Sequence, residues 1–82
     1  MAARHKEPQD KRRILVILRT PEGKEAERLE SWRYWEIVGA LQWLHVDRET
    51  AYHAALWCAR TAKPGDTKTL QNGVTMEVRD DT

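Results

Sequence analysis

The chain is expected to fold as a small α+β domain, with two helices packed on one face of a three-stranded, mainly antiparallel sheet in the order β-α-α-β-β. Three observations predict it. Residues 13–19 form a short run rich in β-branched and aliphatic side chains, closed by Thr20-Pro21-Glu22-Gly23. Two stretches with apolar residues at 3.6-residue spacing follow, and the chain then turns through Asn72-Gly73 into a cleanly alternating segment. Eighty-two residues with 40% hydrophobic content suffice for one domain with one core.

The first strand, Arg13 to Arg19, places Ile14, Val16 and Leu18 on one face and Leu15 and Ile17 on the other. A two-layer domain leaves one sheet face wet, so this strand has more apolar surface than that layout covers. Either it is a central strand whose outer face is sheltered by long neighbouring side chains, or Leu15 and Ile17 belong to an interface with a second copy.

Pro21 and Gly23 stop the strand, and Thr20 ahead of Pro21 has the character of a helix start. The first helix is expected from about Lys24 to His45, opening on Lys24, Glu25, Glu27, Arg28 and Glu30, whose acids suit the positive end of the helix dipole. It carries two apolar stripes. Trp32, Trp35, Gly39 and Trp43 fall at i, i+3, i+7 and i+11; Tyr34, Ile37, Val38, Leu41 and Leu44 form the other stripe. A helix with two such faces must be covered twice.

Asp47 is placed to cap a second helix that ends near Ala62, ahead of Pro64-Gly65. Ala51, Ala54, Ala55, Cys58, Ala59 and Ala62 make one face of it small and smooth. The economical arrangement sets the tryptophan stripe on this alanine face and the aliphatic stripe on the sheet. The alternative leaves part of the tryptophan row outside as a partner site, with Trp57, beside Glu49, His53 and Arg60, the best single candidate. Thr67 to Leu70 and Val74 to Arg79 close the fold as a hairpin, for which Asn72-Gly73 predicts a type I′ turn.

Charge divides the chain. Residues 1–13 carry Arg4, Lys6, Lys11, Arg12 and Arg13 against Glu7 and Asp10, a net of +3 in a chain whose total is +1. Residues 1–11 are expected to be a flexible basic arm, 12–79 the domain and 80–82 an acidic tail. Cys58 is the only cysteine, so no disulfide forms within one chain. With no secretory signal pattern and no long apolar run, a cytoplasmic location is expected.

No residue spacing in the chain predicts catalytic or metal chemistry. Cys58 and His53 are five residues apart on one helix, about 140° around its axis, and do not meet. His45, His53 and Cys58 lack the i, i+3 or i+4 spacing that brings two metal ligands together. Lys68-Thr69 lacks the glycines of a phosphate-binding loop. No catalytic residue, metal or cofactor is predicted. A ribbon-helix-helix reading fails because Leu15 and Ile17 are poor readers of base edges.

The expected function is therefore non-enzymatic protein binding as an adaptor, subunit or inhibitor, including self-association. The contact surface would be Trp32, Trp35 and Trp57 or the strand face of Leu15 and Ile17. The second reading is weak nucleic-acid binding through Arg4, Lys6, Lys11, Arg12 and Arg13.

Overall fold

Strand β1 (Ile14–Arg19) runs through the middle of the sheet, where five consecutive side chains, Ile14 to Leu18, are buried. The computed structural model describes residues 14–80 and adds β2 (Glu25–Leu29), α1 (Tyr34–Trp43), α2 (Arg48–Arg60), β3 (Thr67–Thr69) and β4 (Thr75–Asp80). The four strands are antiparallel in the order β2-β1-β4-β3, and two helices cover one face. The α+β class holds with four strands in place of three. Residues 1–13, with the basic arm and Arg4, Lys6, Lys11, Arg12 and Arg13, lie outside the described residues, as do 81 and 82. Asp80 is the last residue of β4.

The extra strand comes from a segment expected to open a long helix. Pro21, Glu22 and Gly23 form a three-residue hairpin loop: Thr20 N–H donates to the Lys24 carbonyl, Gly23 N–H donates to the Thr20 carbonyl, and Gly23 takes φ +91°. That is a type I turn closed by a left-handed residue. Beyond it Glu25, Ala26, Glu27 and Arg28 are good helix formers, yet they pair with β1 in the register Ile17↔Arg28 and Leu18↔Glu27. An unpaired edge of β1 would expose a row of backbone donors and acceptors, and satisfying it outweighs a propensity difference of a few tenths of a kcal/mol per residue. The charged side chains also suit an edge strand, because they discourage further pairing.

Helix α1 is accordingly short. Arg33 is its N-cap, with its N–H bonded to the Glu36 carboxylate at 2.7 Å. It ends in a Schellman-type cap: His45, at φ +69°, donates to the Gln42 carbonyl, and Val46 N–H donates to the Leu41 carbonyl at 3.0 Å. Val46 is buried, as is Leu41. Helix α2 starts as expected, its Asp47 carboxylate accepting the Thr50 N–H. Its row of Ala51, Ala54, Ala55, Cys58, Ala59 and, just past its end, Ala62 is fully inside, so α1 approaches it closely, and the row shares one core with the inner side chains of the sheet.

The second hairpin departs from the type I′ expectation. Only Gly73 has positive φ (+90°), Gly73 N–H donates to the Leu70 carbonyl, and Leu70 N–H donates to the Val74 carbonyl. It therefore repeats the geometry of the β1–β2 loop. The two tips meet, since a Cβ on Gly73 would come within 3.1 Å of the Pro21 Cβ. Asn72 ties this tip to the helix layer by donating from Nδ2 to the Leu44 carbonyl.

The sheet has two differently roofed faces. Ile14, Val16, Leu18, Val74, Met76 and Val78 share the helix side with Ile37, Leu41 and the alanine row. Leu15 and Ile17 project from the opposite face, and Ile17 has no exposed surface. There Ile17 pairs with Arg28 on β2 and Glu77 on β4, while Leu15 pairs with Arg79. Arg19 Nη2 and Arg79 Nε both bond Glu77, at 2.9 and 2.7 Å, and Arg28 is doubly bonded to Glu25. The aliphatic stems of these ion-paired side chains flank the outer aliphatics, as expected of a central strand.

Candidate functional site

The four tryptophans separate into three environments. Trp32 precedes α1 instead of lying on it, and is 2% exposed with its indole N–H donating to the Ile14 carbonyl at 2.9 Å. It anchors the crossover from β2 to the core side of β1 and offers no contact surface. Trp57, the favoured single candidate, is half-buried on α2 and carries the Lys68 ammonium 5.1 Å from its ring centroid. This cation–π contact ties α2 to strand β3. Leu15 and Ile17 are both buried within the chain. Of the expected contact residues, Trp35 stays open at 47% exposure, and Trp43, not counted among them, is the most open at 84%.

The reason lies in where α1 turns its faces. Ile37 and Leu41 point into the core, so positions on the far side of the helix point outward. Trp35, Gly39 and Trp43 occupy that outward side at i, i+4 and i+8, and all three are exposed. The tryptophan row thus does not lie on the alanine face; α2 receives the aliphatic side of α1 instead. Sequence spacing identified the row and its two possible covers, but the early start assigned to the helix brought Trp32 into a stripe it does not share.

Around Trp35 the surface is a shallow, mainly apolar groove of about 500 Å³ between the two helices, lined by Tyr34, Trp35, Val38, Arg48, Glu49 and Tyr52. Tyr34 makes edge contacts with Trp35 and Tyr52 at centroid separations of 5.7 and 6.2 Å, which fixes the rings relative to one another. Tyr52 in turn meets the His53 ring. The Arg33 guanidinium sits 5.4 Å from the Trp35 ring centroid. Around Trp43 a second groove of about 460 Å³ runs between α1 and β2, past Glu27, Arg28, Glu30, Glu36 and Gly39.

Gly39 is a helix-interior glycine with no conformational demand behind it, since its φ is not positive and a Cβ there would meet nothing within 4 Å. Glycine in such a position costs about 1 kcal/mol relative to alanine. Neither the backbone nor the packing of this chain accounts for it.

Charged groups with displaced pKa values lie on the strands or at a helix end, and of these only Arg28, raised by its hydrogen bonds to Glu25, borders the Trp43 groove. Hydrogen bonds from Arg79 and then Arg19 hold the Glu77 carboxyl below the ordinary carboxylate range. Arg28 does the same for Glu25. The bonds from Thr50 lower Asp47, as expected of a helix cap. Each has a structural explanation. Among the described residues no three His, Cys, Asp or Glu side chains converge as a metal site, and no helix is long and apolar enough to cross a membrane. Cys58 is buried in the alanine row, out of reach of His53 on the surface.

No protein-family model matches the chain, and no curated protein or solved structure shows significant similarity to it.

Proposed function

We propose that this is a non-enzymatic protein-binding module whose contact surface is the outward face of the helix layer, centred on Trp35 and Trp43 and extended by Tyr34, Val38 and Tyr52. The observation that carries the reading is the exposure of two indoles on one helix of a 67-residue folded unit whose core is otherwise well closed. Large aromatic side chains standing in water are unfavourable for an isolated chain, and Trp and Tyr dominate the energetic centres of protein interfaces. The groove at Trp35 is preformed by ring contacts, so little ordering entropy is lost on binding.

The test compares the natural chain with a Trp35→Ala/Trp43→Ala variant in two assays. One is self-association by light scattering across concentration; the other is capture of protein from an extract of the producing cells after nuclease treatment. At least one association should be present and lost in the variant, with circular dichroism unchanged. If neither depends on the two indoles, the reading is wrong. Association that disappears with nuclease would favour nucleic-acid binding through the basic residues 4–13.

A further inference from the structure

We propose that Asn72, at the tip of the second hairpin, is a site of spontaneous covalent modification. Its side-chain amide leaves as ammonia by ring closure onto the Gly73 nitrogen, and the carboxylate left behind frees the tip from the helix layer. Asn72 is the only asparagine of the chain and is followed by a glycine. With no side chain on Gly73, nothing on that residue screens its backbone nitrogen from the carboxamide. Asn72 is also exposed, so water and hydroxide reach it.

The hairpin holds the two reacting groups together. Asn72 Oδ1 accepts the Val74 N–H at 3.3 Å, an Asx turn that folds the carboxamide back over the Gly73 peptide. When the Gly73 nitrogen adds to Cγ, negative charge develops on Oδ1, where the Val74 N–H already points. One contact works against the reaction. Gly73 N–H donates to the Leu70 carbonyl at 3.0 Å and must be released before it loses its proton. That single bond should slow the folded chain by no more than about tenfold relative to a free peptide.

In the first step hydroxide takes the Gly73 amide proton and the nitrogen bonds to Asn72 Cγ. The Cγ–Nδ2 bond then breaks as Nδ2 takes a proton from water and departs as ammonia, leaving a five-membered imide. Water opens the ring at one of two carbons. Attack at Cγ restores the ordinary backbone with an aspartate in place of Asn72. Attack at the Asn72 backbone carbonyl gives an isoaspartyl link, which carries the main chain through Cβ and Cγ. Nothing is oxidised or reduced.

Both products lose the Nδ2 donor, and with it the 3.3 Å bond to the Leu44 carbonyl that ties the tip to the helix layer. In the aspartate, a carboxylate that can only accept faces this carbonyl at the negative end of α1. The cleft beside it is also bordered by His45 and by the Asp47 carboxylate. The isoaspartyl link lengthens a loop that sets the Thr69↔Thr75 register. Either product carries one more negative charge, which cancels the net +1 of the chain.

The full 82-residue chain is incubated at mildly alkaline pH beside a synthetic peptide of residues 67–76, and both are followed by intact-mass spectrometry and ion exchange. The chain should gain the mass of an amide-to-acid exchange and one negative charge, at a rate within about tenfold of the peptide's and rising with hydroxide concentration. Fragment spectra should place the change at Asn72, and part of the product should be a substrate for isoaspartate methyltransferase. Asn72→Gln should keep its mass, since closure through the longer side chain is slower. Asn72→Asp, which copies one product, should melt at a lower temperature than the natural chain. A folded chain that keeps its mass while the peptide converts would overturn the site, and so would conversion confined to other residues. An unchanged melting temperature in both Asn72→Asp and the converted chain would overturn release of the tip.

Discussion

The two faces of the sheet bury aliphatic side chains from the same strand under different roofs. On the helix side, Ile14, Val16 and Leu18 meet Ile37, Leu41 and the alanine row, packing of carbon on carbon that water does not enter. On the outer side, Ile17 is as fully buried, beside charged side chains that pair within β2 (Arg28 with Glu25), within β4 (Arg79 with Glu77) and between β1 and β4 (Arg19 with Glu77). The first roof is held by rigid elements and is insensitive to charge. The second is a set of long stems whose heads must stay ionised to hold their positions, so identical exposure values conceal unequal robustness.

The largest difference should appear when each side loses its anchor. Trp32→Ala removes a buried indole and leaves the Ile14 carbonyl without its donor, and should destabilise the domain by about 3–5 kcal/mol in urea unfolding. Ile17→Ala should cost less, about 2 kcal/mol, because flexible stems can settle into the space left behind. Equal losses would mean that the outer roof is as rigid as the helix layer. Gly73→Ala tests the clasp between the two hairpins. A positive φ and a 3.1 Å approach to Pro21 should together cost about 1–2 kcal/mol, whereas Gly23→Ala, with nothing within 4 Å, should cost only the backbone part, about 1 kcal/mol.

Acid should act on the outer roof selectively. The Glu77 carboxyl titrates below its unfolded value, so its contribution is complete above the ordinary carboxylate range and is lost as pH falls through the folded value. The thermal midpoint should therefore decline on acidification, and less steeply in Glu77→Gln. An equally steep decline in that variant would place the acid sensitivity elsewhere, with Glu25 and Asp47 the next groups to test. The smallest effect on stability is expected from Trp43→Ala in dilute solution, within about 0.5 kcal/mol, since the ring is almost entirely in water.

Much of this architecture is legible in the amino-acid order. Asp47 and the alanine row define α2, the alternation of Val74, Met76 and Val78 marks the inner face of β4, and the double-sided apolar pattern of β1 fits a central strand, one of the two readings it allowed. What is not legible is β2. Its Glu, Ala, Arg and Leu residues favour a helix locally, and only the need of β1 for a partner on its second edge makes them a strand. That one error carried Trp32 onto the helix and so misplaced it as a surface candidate. The exposed positions of α1 follow once its start moves to Tyr34, because Ile37 and Leu41 then define the inner side without ambiguity. Trp43 shows the same lesson at the site: spacing assigned it to a row, but no local signal distinguishes a tryptophan that closes a core from one that stands outside it.

Ile14 and Asp80 are register partners on neighbouring strands, so the described chain enters and leaves the domain at a single point of the sheet. A fold with that property can be spliced into a surface loop of another protein without stretching either, or closed by a short linker and reopened at Glu22 in the first hairpin. The helix layer would remain available in such a rearranged molecule, which makes this domain a convenient cassette for presenting its aromatic face on a foreign scaffold.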